Sequence, residues 1–270
     1  MRNLLLVTKY TVQDLLRHKS FYAILVICVL FVLMLRSCYK GNYNVNGETI
    51  DNLTVAWHAS RIAFQIISGG AMFIVILLSM GLLRRERDEG TMVHLLSKPV
   101  SRFQYAMGKA AGLWIVSFLF MFILHVTIFI ITWINAGGIM PGYLTASLLC
   151  SINLLIMVPL VLLLSLFLPD IVAALASLGV IVVGFFSDSL FQAMHSSVLR
   201  QAIPTDMNTA PALWRILWPK TAALQEFATT IIGKAGEFHQ MGPVHPIINV
   251  LMYATALFIV LILRFHREEL

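Results

Sequence analysis

The chain has 270 residues, 59% of them hydrophobic and only 12% charged, with a mean hydropathy of +0.85. Soluble domains carry roughly 25% charged residues, so this composition excludes an ordinary water-soluble globule and points to a bilayer. The net charge of +6 is then no nucleic-acid signal, because polytopic membrane proteins collect lysine and arginine on their cytoplasmic side.

Residues 1–19 put Leu4, Leu5, Thr8, Val12, Leu15 and Leu16 on one helical face and Lys9, Gln13, Asp14 and Arg17 largely on the other. This pattern predicts an amphipathic helix lying in the membrane interface. Charges recur through it and no small-residue cleavage pattern follows, so the next apolar run is expected to be a retained membrane helix. Apolar runs at 20–35, 62–83, 109–133, 145–168, 171–186 and 246–263 predict six spans. Each approaches or reaches the roughly 17–25 residues that cross a hydrocarbon core. The first is short, so Lys19 and Arg36 are expected to snorkel. Residues 41–51 are polar and turn-rich, an external loop.

Gly69-Gly70 in the second span predicts close packing or a kink, and Gly108 and Gly112 a small-xxx-small packing face in the third. Pro169-Asp170 divides an over-long apolar run, so the fourth and fifth spans should form an antiparallel hairpin. Residues 187–245 are the longest polar stretch, broken by Pro204, Pro211 and Pro219, with Leu224, Phe227, Ala228, Ile231 and Ile232 at helical spacing. Short amphipathic helices on, or dipping into, the outer interface are expected there, either capping a pathway or packing on the surface. With the N-terminus inside, twelve of the 19 basic residues fall on cytoplasmic segments, which predicts that both termini are cytoplasmic. The fold class that follows is an all-α polytopic membrane protein in a single domain.

Between the second and third spans, residues 84–108 hold a dense island of charge. Thr91 can start a short helix bearing Met92, Val93, Leu95 and Leu96, and Pro99 biases Lys98 away from helix. Ser101 then reads as the N-cap of the third span's helix, with Gln104 as its capping-box partner. A short amphipathic helix on a loop suits a groove on a soluble partner. A solvated loop whose arginines fix topology fits the same residues.

Catalytic chemistry is hard to find. Gly108-Lys109 and Gly233-Lys234 lack the rest of a Walker loop, and no His-Glu-x-x-His is present. Cys28, Cys38 and Cys150 show no paired spacing, so no disulfide framework or metal site follows. We assign no catalytic residue, metal ligand or cofactor to this chain. His125 and Asn153 lie inside spans, as polar residues of a translocation path or as hydrogen-bonded structural groups. No span carries the relay carboxylates of an ion-coupled pump, and Asp170 and Asp188 fall near span ends. Energy for any transport would have to come from a partner.

Glu86, Glu89-Gly90-Thr91, Leu95-Leu96, Pro99, Ser101-Arg102 and Gly108-Lys109 resemble the E-x-x-x-G-T-x-x-x-L-L-x-x-P-x-S-R-x-x-x-x-x-G-K signature of ABC-2 type transporter permeases. The likeness is closest to the six-span branch that includes the copper-enzyme (nitrous oxide reductase) maturation permease. The run Lys9–Lys19 is similar to that family's basic amphipathic elbow. The resemblance implies an elbow helix before six transmembrane helices and a permease homodimer paired with two separate ATPase subunits that bind ATP and Mg. It also implies a cytoplasmic coupling helix between spans two and three, made by Glu86, Glu89, Gly90, Thr91, Met92, Val93, Leu95, Leu96, Pro99 and Arg102. Export by alternating access across the inner membrane is the implied activity, with His94 and Lys98 making the coupling segment more polar than is usual. Two other classes fit the composition. One is a membrane-embedded enzyme or assembly scaffold without nucleotide coupling, using His125, His58 or the outer loop. The other is a stand-alone channel, against which the spans lack regular polar faces.

Overall fold

A computed structural model describes residues 2–36, 44–45, 48–49, 52–80, 82, 101–136, 142–195, 218–232 and 244–267. The coupling-segment residues Glu86, Glu89, Gly90, Thr91, Met92, Val93, Leu95, Leu96 and Pro99 lie outside the described residues; Arg102 lies within them.

Helix α1 (Arg2–Arg17) ends at His18, whose backbone is extended, and α2 (Lys19–Met34) leaves at 67° to it. Helix α1 is amphipathic as expected, but its buried edge runs through Thr8, Thr11 and Leu15, and Leu5 is 66% exposed. The reason lies in its neighbour. On α4 (Arg102–Ala136), a Cβ at Gly108 would stand 2.7 Å from Val7, and one at Gly112 2.6 Å from Thr11. The two glycines form a notch that admits the Val7–Thr11 edge of α1, and this close approach sets which face of α1 turns inward. Both bonds of the Ser101–Gln104 capping box are formed, at 3.2 and 3.3 Å, and start α4.

Helix α3 (Asn52–Ser79) begins ten residues before the apolar run at 62–83, because Asn52–Arg61 continue the same helical path. It follows a two-residue antiparallel ladder, β1 (Asn44–Val45) with β2 (Glu48–Thr49), inside the stretch expected to be a loop. Helix α3 runs through Gly69-Gly70, and a Cβ on either would meet nothing within 4 Å, so among the described residues no helix packs closely on this pair.

Helix α5 (Gly142–Cys150), a 3-10 turn (Ser151–Asn153) and α6 (Leu154–Phe167) follow one another, with Pro159 inside α6. After the extended Leu168, α7 (Asp170–His195) turns back against α6, as the Pro169-Asp170 break predicts. Helices α8 (Thr221–Ile232) and α9 (Pro246–Arg267) complete the described chain. Among the described residues, five helices are long and apolar enough to cross a bilayer, and a sixth if the bent α1–α2 pair counts as one span. The protein is an integral membrane protein on this ground.

Helix α4 is the central pillar. It packs on α1, α2, α3, α5, α6 and α9, and buries Leu113, Val116, Phe120, Met121 and Ile128. Of the five long apolar helices, α7 is covered least: Ile171, Leu175 and Phe186 are all exposed, an apolar face suited to hydrocarbon. Helix α8 does not lie on the outside. It packs among α3, α5, α7 and α9, burying Ala222, Leu224, Gln225, Ala228 and Ile232.

Candidate functional site

The polar residues of the bundle gather in three places. The first joins α3, α4 and α5. His125 is fully buried, with Nδ1 2.7 Å from Ser147 Oγ and Nε2 3.5 Å from Ser68 Oγ. Its ring stacks on Phe64 and meets the edge of Tyr143. Two turns along α3 and α4, the Ser60 and Thr132 hydroxyls share a hydrogen bond of 2.9 Å and Tyr143 OH donates to Ser60 O at 3.4 Å. Polar atoms in an apolar interior cost free energy unless they pair, and these pair across helices. Each of the three helices thereby gains a fixed register against the others.

The second holds the inner end of α8. Asn153 Nδ2 donates to Thr221 O at 2.9 Å, and Asn249 Oδ1 accepts from Lys220 N at 3.0 Å. Asp188 Oδ2 accepts from Ala223 N at 3.2 Å, so a carboxylate from α7 caps the N-terminus of α8 and meets its positive end. At the other end of α8, a Cβ on Gly142 would lie 2.0 Å from Ile231 O, so only glycine fits there. Helix α8 therefore runs antiparallel to α5, from Asn153 back to Gly142, over about 16 Å at the helical rise. Its buried start also brings in a cation. Lys220 is 2% exposed, and its ammonium has no hydrogen-bond partner among the described residues. Burial pushes its pKa below the ordinary lysine value, and the nearby Asp188 carboxylate pulls the other way.

The third is a pocket of about 380 Å³ beside this cluster, lined by Gln65, Phe185, Asp188, Ser189, Ala222, Gln225 and Glu226. Arg61 on α3 forms an ion pair with Glu226 on α8, and Gln65 Nε2 donates to the second Glu226 oxygen at 2.7 Å. His125 and Asn153 are not among the lining residues. Among the described residues, no group of three His, Cys, Asp or Glu side chains could hold a metal ion.

At the opposite end of the bundle, Arg102 Nη1 donates to His266 O at 3.3 Å, joining the start of α4 to the last turn of α9. Tyr105 stacks on Phe265 next to that bond, and Arg264 stands 4.8 Å over the Phe167 ring. This rim surrounds the start of α4, the first helix after residues 83–100 in sequence.

Sequence reasoning missed the pocket residues Gln65, Gln225 and Glu226, as well as Arg61, Lys220 and Asn249. A usable signal was present: Arg61, Gln65, Gln225 and Glu226 are isolated polar residues set in helical apolar runs. A sequence profile for the family described as ABC-2 family transporter protein matches residues 5–270. Among curated proteins, none matches the chain.

Proposed function

The chain belongs to the ABC-2 transporter family, and from that membership we propose that it is the permease subunit of an ATP-binding cassette exporter. The observation that carries the reading is the extent of the match. From residue 5 to residue 270 it takes in α1, every apolar helix and the charged segment between α3 and α4.

In this reading two copies of the chain pair with two ATPase subunits, which bind ATP and Mg. The chain itself hydrolyses nothing. Both termini and the 84–100 segment face the cytoplasm, with the protein in the inner membrane of the cell. Glu86, Glu89, Gly90, Thr91 and Pro99 shape a coupling helix whose Met92, Val93, Leu95 and Leu96 dock on the ATPase. Arg102 ties the start of α4 to the end of α9, which supports transmission of a push on that segment into two helices at once. Helix α1 serves as the elbow, a role supported by its 67° bend and its seat on Gly108 and Gly112. His125 and Asn153 hold the helices that flank the path during alternating access. In this reading the chain falls in the six-span branch that includes the copper-enzyme maturation permease.

Purification of the tagged protein in mild detergent from its own host tests this, with mass spectrometry and an ATPase assay on the eluate. A stoichiometric Walker-motif ATPase is expected to co-purify, and to be lost from the Leu95→Asp/Leu96→Asp double variant while membrane insertion is unchanged. Undiminished co-purification with that variant refutes the docking assignment. No ATPase under several detergents refutes the permease reading itself.

A further inference from the structure

Helix α9 carries an apolar strip that no other described helix covers. Met252, Ala256, Ile259 and Leu263 share one face by their spacing of three and four residues, and all four are exposed. From Met252 to Leu263 the strip runs about 16 Å at the helical rise. That is roughly half of a ~30 Å hydrocarbon core, the depth of one leaflet. A cation stands where the strip ends. Arg264, one residue on, is turned toward α6, and its guanidinium carbon lies 4.8 Å over the Phe167 ring. Arg264 is exposed and Phe167 is 55% exposed. Phe167 is the last residue of α6 and Arg264 lies in the last turn of α9, so the pair sits at the level where both apolar helices stop.

This cation is held in place and unspent. Among the described residues Arg264 has no hydrogen-bond or ion-pair partner, and neither α6 nor α9 contains a carboxylate. Asp170, which opens α7, turns one of its oxygens inward. Contact through the face of a guanidinium restrains it over the ring and leaves its in-plane N–H groups free. Paired free N–H groups match a phosphate through two parallel hydrogen bonds. An ammonium or choline group beside that phosphate would find no carboxylate on either helix, so the charge balance favours a guest that is negative overall.

We propose that the α6–α9 edge is a site for an anionic phospholipid. Arg264 takes the phosphate, Phe167 positions Arg264, and one acyl chain lies along the strip from Met252 to Leu263. The site does not rest on the permease reading and holds whichever leaflet this end of the bundle faces.

The full chain, stripped of lipid in a detergent suited to native mass spectrometry, is titrated with palmitoyl-oleoyl phosphatidylglycerol, phosphatidylethanolamine and phosphatidylcholine. Parent and variant share each sample, so their lipid adducts are compared in one spectrum. The first phosphatidylglycerol is expected to bind at least fivefold tighter than either zwitterionic lipid. Arg264→Gln is expected to reduce that preference at least threefold. Phe167→Leu keeps an apolar side chain but removes the ring, and is expected to reduce it at least twofold. Arg17→Gln, which removes another exposed arginine at the α1–α2 bend, should leave it unchanged. Glycerol 3-phosphate in tenfold excess carries the phosphate without the chains and should not displace the lipid. Equal affinity for the three lipids overturns the proposal, as does a parental preference in Arg264→Gln or Phe167→Leu. An equal loss in Arg17→Gln, or displacement by glycerol 3-phosphate, overturns it too.

Discussion

Replacing Asp188 by asparagine should be the most damaging single change at the inner end of α8. The carboxylate compensates the Lys220 ammonium, which lies beyond hydrogen-bond reach of any described partner, and caps the α8 N-terminus through Ala223 N. A unit charge pair that is close but not in contact, at an effective dielectric of ~20, attracts by about 3 kcal/mol. Loss of a carboxylate from a partly buried helix N-terminus adds about 1 kcal/mol. The expected destabilisation is about 4 kcal/mol, within the range for stranding one member of a buried ion pair. The sign of the pH response separates this cause from simple loss of packing. Lys220 has a folded-state pKa below its ordinary 10.5, so the unfolded chain binds more protons between the two values and stability rises with pH across that window. Without Asp188 the folded value falls further and the window opens at lower pH. Unfolding followed by tryptophan fluorescence in detergent, as pH rises toward 10.5, should therefore show Asp188→Asn beginning to gain stability at lower pH than the parent. Adding Lys220→Met should remove both the deficit and the early rise. Equal onsets, or a double variant whose loss is the sum of the two single ones, would refute the electrostatic account.

Two further outcomes follow from packing. Gly112→Leu must displace α1, since even a Cβ there meets Thr11 at 2.6 Å, and should cost about 1–3 kcal/mol by overpacking. A cysteine at Leu15, buried in the parent, should then become reactive to a membrane-impermeant maleimide, and continued protection would count against the notch. His125→Leu should cost about 1–3 kcal/mol by orphaning the Ser147 hydroxyl, and adding Ser147→Ala should restore most of it in thermal melts. Additive losses would show that the pair does not act as a unit.

Much of the helical layout can be read from the residues because the signals are local. Ser101 and Gln104 are three residues apart, and their capping box needs nothing else to form. Gly108 and Gly112 mark a packing face by their spacing alone, although nothing in that spacing names Val7 and Thr11 as the partners. Gly69-Gly70 looks equivalent in sequence and packs on nothing, because a small-residue notch acts only where another helix crosses it. The candidate site was the least legible part. Leu224, Phe227, Ala228, Ile231 and Ile232 at helical spacing read as an amphipathic helix on, or dipping into, the outer interface. Their burial depends on partners far along the chain: Asn153 is 68 residues from Thr221, and Arg61 is 165 from Glu226. Polar atoms that find each other at such separations leave no periodicity to detect.

Helix α8 also bears on how the protein is made. At 12 residues, with Gln225, Glu226 and three threonines, it is too short and too polar to enter a bilayer as a separate unit, for which about 20 apolar residues are needed. It can reach its place only by docking into a socket that the long helices have already built. That socket is unfinished until the last of them emerges from the ribosome, because Asn249 at the start of α9 supplies one of the three side-chain anchors that hold the start of α8. Insertion and assembly are thus separate stages, and the interval between them belongs to membrane quality control. A nascent chain halted before residue 249 would have its other helices threaded yet hold Thr221–Ile232 undocked, a state that chaperones and membrane proteases can tell from the finished bundle.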